Sequence, residues 1–290
     1  MSTRYIPSIS KNWRIALALP FTYYILVTLD NTIHELGHLL TAQILGAKPI
    51  GLFIAPSVVG YARWNYGSIP EGSIPIVDFW VTAGGVVAEL VLGIVLLSIV
   101  WLLRDRLRGW TGFMLVMGGL ILISMGAFYL LFSWIVDWGD GAELVRLGLS
   151  PYALVGFVVV ILGCIYLIGT PLIARCMSEY TSSLDFRTTW SYLTSMGIPV
   201  QLYGIVKSFF FLPGEYQVGL YSLVAYVLIS VVLAMIIALR GRAMAINNLS
   251  GSSELSYALL ASLGASAMII EISCTKFFGL GNNMRFLWFN

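Results

Sequence analysis

Apolar runs about 20 residues long recur along this chain, and they set its fold class before any side-chain chemistry is considered. Hydrocarbon offers no water to backbone N–H and C=O groups, so each run must be a helix that satisfies those groups internally. Six runs qualify: residues 13–46, 79–103, 111–136, 151–174, 216–239 and 255–273. A seventh, residues 198–212, is shorter and carries Lys207, so it either crosses the bilayer or lies in its interface. The expectation is an all-α polytopic membrane protein with six to seven transmembrane helices, surrounded by lipid. Composition agrees: 59% of the 290 residues are hydrophobic and 10% charged, where soluble domains carry about 25% charged residues. A soluble globular protein and a disordered chain are both excluded. A scattered net charge of +2 offers no nucleic-acid surface. Three cysteines, Cys164, Cys176 and Cys274, form no close-spaced pair and no disulfide framework. Arg4, Lys11 and Arg14 precede the first run as in a signal peptide, but no small-residue cleavage site separates it from the polar residues that follow, and it is expected to be retained.

Ionisable side chains inside a span cost at least a few kcal/mol and are functional candidates by default. The first run contains Asp30, His34, Glu35 and His38, and the two histidines are the only ones in the chain. His34-Glu35-Leu36-Gly37-His38 is an H-E-x-x-H sequence. Its i, i+4 spacing sets both imidazoles on one helical face, where they can bind one Zn²⁺, with Glu35 beside them to take a proton from water. Zinc lowers the pKa of bound water towards about 7, which makes hydroxide available at neutral pH. A catalytic zinc takes three protein ligands and keeps one position open. With no third histidine, the remaining ligand is a carboxylate or, failing that, a cysteine. Two further crossings return the chain to the side of His38 at Asp137-Trp138-Gly139-Asp140-Gly141. Asp140, flanked by glycines that permit tight turns, is the first choice and Asp137 the second. Glu89, within the second run, is an outer partner, a helix-packing contact or an alternative ligand, Asp30 is likewise an outer partner or alternative ligand, and Glu143 is a further acid. Asp30, Asn31 and Thr32 can line a polar path for water.

The continuation His34-Glu35-Leu36-Gly37-His38-x-x-x-Ala42-x-x-x-Gly46 resembles the site-2 protease family of intramembrane zinc metalloproteases, over the stretch from the first span to Gly141. The resemblance implies that His34, His38 and the Asp-Gly aspartate Asp140 bind zinc and that Glu35 activates water. The chain departs from the family in the second span, where Gly84-Gly85-Val86-Val87-Ala88 stands in place of Gly-Pro-x-x-Asn and Glu89 follows. It departs again at Gly139-Asp140-Gly141, which replaces Leu-Asp-Gly. These differences mark a divergent branch.

Residues 50–54 and 58–64 are short apolar, aromatic runs around Pro56-Ser57 and read as two strands and a turn. The resemblance implies an element that dips into the membrane and aligns an extended substrate; an interfacial loop is the alternative. Gly84 and Ala88, and Ala261, Gly264, Ala265 and Ala267, suit close helix contacts. The basic clusters Arg4/Lys11/Arg14, Arg104/Arg106/Arg108 and Arg240/Arg242 share one face if residues 198–212 cross, which places the zinc site nearer the non-cytoplasmic side. The resemblance implies the reverse. Residues 1–150 are expected to form a three-helix protease core and 151–290 accessory helices. The expected function is zinc-dependent endopeptidase cleavage of integral membrane proteins in or near their transmembrane segments. The competing expectations are a membrane zincin with a glutamate third ligand, Glu89 or Glu143, and a non-proteolytic protein with a structural or transport metal.

Overall fold

The computed structural model describes residues 13–55, 59–67, 69–104, 106–107, 109–178, 185–211 and 216–241, with residues 269 and 287–288. The expected span 255–273, apart from residue 269, and the small-residue set Ala261, Gly264, Ala265 and Ala267 lie outside the described residues, as do Arg4, Lys11, Arg108 and Arg242. The protein is built mainly of helices. In chain order they are α1 (Trp13–Ile44), α2 (Ile74–Leu102), α3 (Gly109–Ile135), α4 (Asp140–Arg146), α5 (Pro151–Cys164), α6 (Thr170–Ser178), α7 (Phe186–Phe211) and α8 (Tyr216–Gly241). Among the described residues, three helical stretches are long and apolar enough to cross a membrane: Glu71–Leu102, Trp110–Ile135 and Gly219–Leu239. Two thirds of the apolar window of α3 is buried, against about a third for the other two. Thus α3 is the central helix, while α2 and α8 present Val91, Ile94, Val95, Val224 and Leu228 outwards, as helices that face lipid do.

Two expected spans take a different form. The run 151–174 is helical, but a π-helical turn at Ile165–Gly169 separates α5 from α6. The 198–212 segment is the C-terminal part of the 26-residue α7, which begins at Phe186 and accommodates Pro199. The polar character of residues 186–197 conceals that helix in the sequence, because Thr189, Tyr192 and Met196 are buried against neighbouring helices rather than left in solvent. One apolar core runs through both halves of the chain, from Leu19 and Tyr23 on α1 and Val116 on α3 to Leu172 on α6, Val200 on α7 and Ile237 on α8. Helices α6, α7 and α8 are therefore packed into the same core as α1 and α3.

The two strands expected after α1 form: β1 (Lys48–Ala55) and β2 (Val59–Asn65) pair antiparallel from Lys48↔Asn65 to Ala55↔Val59, with a bulge between Pro49 and Gly51. A two-residue strand, β3 (Leu287–Trp288), adds to the other side of β1, giving the order β2-β1-β3. The hairpin is fixed to the helices at its root. Trp64, Tyr66 and Ile69 pack on Ala42 of α1 and on Val77 and Val81 of α2. The Tyr66 hydroxyl donates to the Asp78 carboxylate, and burial together with that bond pushes the phenol up to about 12.

Close approach of α1 and α2 depends on two glycines. A Cβ on Gly84 would stand 2.9 Å from the Gly37 carbonyl oxygen and against the Thr41 hydroxyl, and one on Gly37 would stand 2.7 Å from the Ala88 Cβ. Small residues at such a crossing let backbones approach. Gly84→Val is expected to cost about 1–3 kcal/mol through overpacking, read as a lowered unfolding midpoint in detergent; an unchanged midpoint would show that the crossing can relax.

Candidate metal centre

His34, Glu35 and His38 lie on the C-terminal part of α1, all buried. The helical spacing stacks the two imidazoles edge to face, with ring centroids 4.7 Å apart. Asp140, the first residue of α4 just past the C-terminal end of α3, reaches them from the same end of the three-helix unit. Its Oδ2 lies 3.0 Å from His34 Nε2 and 3.2 Å from His38 Nε2, and the two Nε2 atoms are 3.1 Å apart. Tetrahedral zinc, with bonds of about 2.0–2.1 Å, spaces its ligand atoms about 3.4 Å apart, so the triangle fits the ion with a small expansion.

The outer hydrogen bonds decide which nitrogens face the triangle. His38 Nδ1 lies 2.7 Å from the Val81 carbonyl oxygen of α2. A carbonyl only accepts, so Nδ1–H donates and the neutral ring turns its Nε2 lone pair inwards. His34 Nδ1 lies 3.1 Å from Glu89 Oε1, and a carboxylate imposes the same tautomer. Two lone pairs and a carboxylate oxygen thus converge with no donor among them. Such a set repels itself unless a cation, a proton included, lies between, and its donor chemistry suits Zn²⁺.

Local backbone chemistry explains why Asp140 arrives there. Helix α3 ends at Ile135, and Asp137 takes a left-handed conformation (φ 53°) while Trp138 N–H donates back to the Ser133 carbonyl. Aspartate tolerates that conformation better than most residues. Gly139 follows at φ 82°, ψ −164°, a region open essentially to glycine alone. Gly141 N–H then donates to the Ser133 hydroxyl at 2.8 Å, and Asp140 N–H points to the Tyr129 hydroxyl at 3.4 Å. A Cβ at Gly141 would run into the Leu130 carbonyl. Both flanking glycines are required, one for conformation and one for contact. Burial alone would raise the Asp140 carboxyl, but the His38 and His34 rings outweigh it and hold the group well below the ordinary carboxylate range.

The other sequence candidates are placed apart from the triangle. Asp137 has an 84% exposed side chain and pairs with Arg146 at 2.7 Å; Glu143 pairs with the same arginine at 3.0 Å. Glu89 meets the outer nitrogen of His34, not its inward one. Asp30, one turn before His34, is buried with Oδ1 lacking a partner. Thr32 donates to the Thr28 carbonyl of its own helix.

Sequence reasoning passes over four contributors. Gly85 lies over the triangle: a Cβ there would stand 2.7 Å from His38 Nε2 and 2.9 Å from His34 Nε2. Gly60 of β2 lies against the Glu35 carboxylate, leaving no space for a Cβ. Trp64 of β2 stacks on His38, centroids 6.1 Å apart and planes at 27°. Tyr129 of α3 meets His34 edge to face at 5.3 Å. The glycine pair in an otherwise bulky apolar run is the one signal that marks Gly85; nothing in the sequence marks the other three. No family model, no characterised protein and no solved structure matches the chain.

Proposed function

We propose that this chain is a multi-pass intramembrane zinc metalloprotease that hydrolyses peptide bonds in or near the transmembrane segments of other membrane proteins, in the manner of the site-2 protease family its H-E-x-x-H segment resembles. One observation carries the reading: His34 Nε2, His38 Nε2 and Asp140 Oδ2 converge within 3.2 Å of one another, the histidines buried and Asp140 half-buried, with Glu35 next in sequence to one of them. Three protein ligands of this type leave a position for water, as catalytic zinc sites require and closed structural sites do not.

Zinc held there supplies Lewis acidity to water and to a scissile carbonyl. Glu35 takes the proton of the attacking water and passes it to the departing amine. Its carboxylate is buried against the Gly60 backbone, which restricts where that proton is carried. Asp140 supplies the negative ligand. The hairpin shields the centre through Trp64 and Gly60, so water and substrate enter beside it rather than through it.

Purified wild type is expected to carry close to one zinc per chain by elemental analysis. Asp140→Ala should reduce zinc to a small fraction, whereas Asp137→Ala should leave it unchanged. Wild type that takes up no zinc ends the reading, and an Asp137→Ala loss equal to that of Asp140→Ala would reassign the third ligand.

A further inference from the structure

Glu89 is an acid in the interior of an apolar helix, only 3% exposed, with Oε1 3.1 Å from His34 Nδ1 and Oε2 without a partner. Carboxylates are rare at such positions because nothing in lipid or in an apolar bundle replaces their hydration. Here the replacement is the N–H of His34. Space for the group is provided from the facing helix: a Cβ on Gly126 of α3 would lie against Oε2 and 3.3 Å from Cδ. His38 is held differently, by the neutral Val81 carbonyl. The two histidines therefore have unequal outer partners, one charged and one not.

We propose that Glu89 is the positioning residue of the metal centre. By accepting the hydrogen bond from Nδ1–H it fixes the tautomer and ring angle of His34 and raises the basicity of the nitrogen that faces Asp140; Gly126 is the socket that keeps it there. It is not a ligand, because it meets the ring edge opposite the converging atoms. The proposal rests on the metal-centre reading above. An outer carboxylate of this kind strengthens metal affinity by about 10–100-fold.

The test uses purified full chain in detergent, Zn²⁺ competed against a chromogenic chelator, and visible absorption of the Co²⁺-substituted protein. Glu89→Ala is expected to lose about 10–100-fold in zinc affinity and to shift the Co²⁺ bands. Glu89→Gln, whose amide oxygen still accepts a hydrogen bond from Nδ1–H, is expected to recover most of the affinity and to keep the wild-type bands. Gly126→Ala, which leaves the carboxylate chemically intact but crowds it, should fall between. Wild-type affinity and bands in Glu89→Ala, or a Glu89→Gln loss as large as that of Glu89→Ala, would overturn the proposal. If Glu89→Ala does not fold, judged by helical circular dichroism, Glu89→Gln and Gly126→Ala decide: near-wild-type affinity in the first with weakening in the second supports the role, and equal affinities sink it. Wild type without zinc binding would fail the metal-centre reading itself, whereas zinc-binding wild type with an indifferent Glu89 fails this inference alone.

Discussion

Glu35→Gln is expected to lower cleavage of a reconstituted membrane-protein substrate by about 10²–10⁴-fold while zinc content stays at the wild-type level. The side chain keeps its length and its place against Gly60, but an amide cannot accept the proton that the attacking water must lose. The two histidines and Asp140, whose atoms form the triangle, are untouched. Loss of turnover with retained metal separates proton transfer from metal binding, which no ligand substitution can do. In cells the counterpart is a comparison of membrane proteomes: uncut or partly processed substrates should accumulate in the Glu35→Gln strain. Unaltered turnover together with an unaltered proteome would show that the metal serves something other than hydrolysis.

The second large effect comes from the smallest possible substitution. Gly85→Ala places a methyl group 2.7 Å from His38 Nε2 and 2.9 Å from His34 Nε2, well inside van der Waals contact. The histidines have little room to yield, since the Val81 carbonyl and Glu89 hold their outer nitrogens. Either the rings swing off those partners or α2 moves away from α1. In both cases the converging lone pairs separate, and zinc affinity should fall by at least about 100-fold, the upper end of what losing one outer partner costs. Gly163→Ala on α5 is the matched control, because a Cβ there meets nothing within 4 Å; it should leave zinc binding unchanged. Chelator competition on both variants reads the difference, and wild-type affinity in Gly85→Ala would mean that the α1–α2 crossing relaxes around the methyl group.

The parts of the fold legible in the sequence were those governed by local chemistry. Apolar length gave α2, α3 and α8, and the short apolar, aromatic runs on either side of Pro56-Ser57 gave the hairpin. Helix α7 was half concealed, since its first turns carry Thr188, Thr189, Ser191 and Thr194. One of these hydroxyls is satisfied within the helix: Thr194 donates to the Trp190 carbonyl one turn back. The π turn at Ile165–Gly169 has no sequence signature, because it changes the hydrogen-bond register and not the residue types. Small-residue patterning marked Gly84 as a helix contact, and so it packs. Its neighbour Gly85 has the same appearance in sequence but lies over the converging nitrogens, since one step along a helix turns a residue by about 100°.

By itself the sequence determined that this chain is dominated by apolar helices and that its two histidines share one helical face, because backbone desolvation and helical periodicity act within a single segment. It also narrowed the third acid to a few residues. Only the tertiary structure decided among them. Asp137 and Asp140 are three residues apart and chemically alike, yet one takes the left-handed turn that ends α3 and pairs with Arg146, while the other is swung by Gly139 and Gly141 to within 3.2 Å of both histidines. That choice depends on backbone dihedrals in the turn between α3 and α4 and on the contact of Asp140 with α1, 106 residues away at His34, and neither leaves a pattern in the order of the residues.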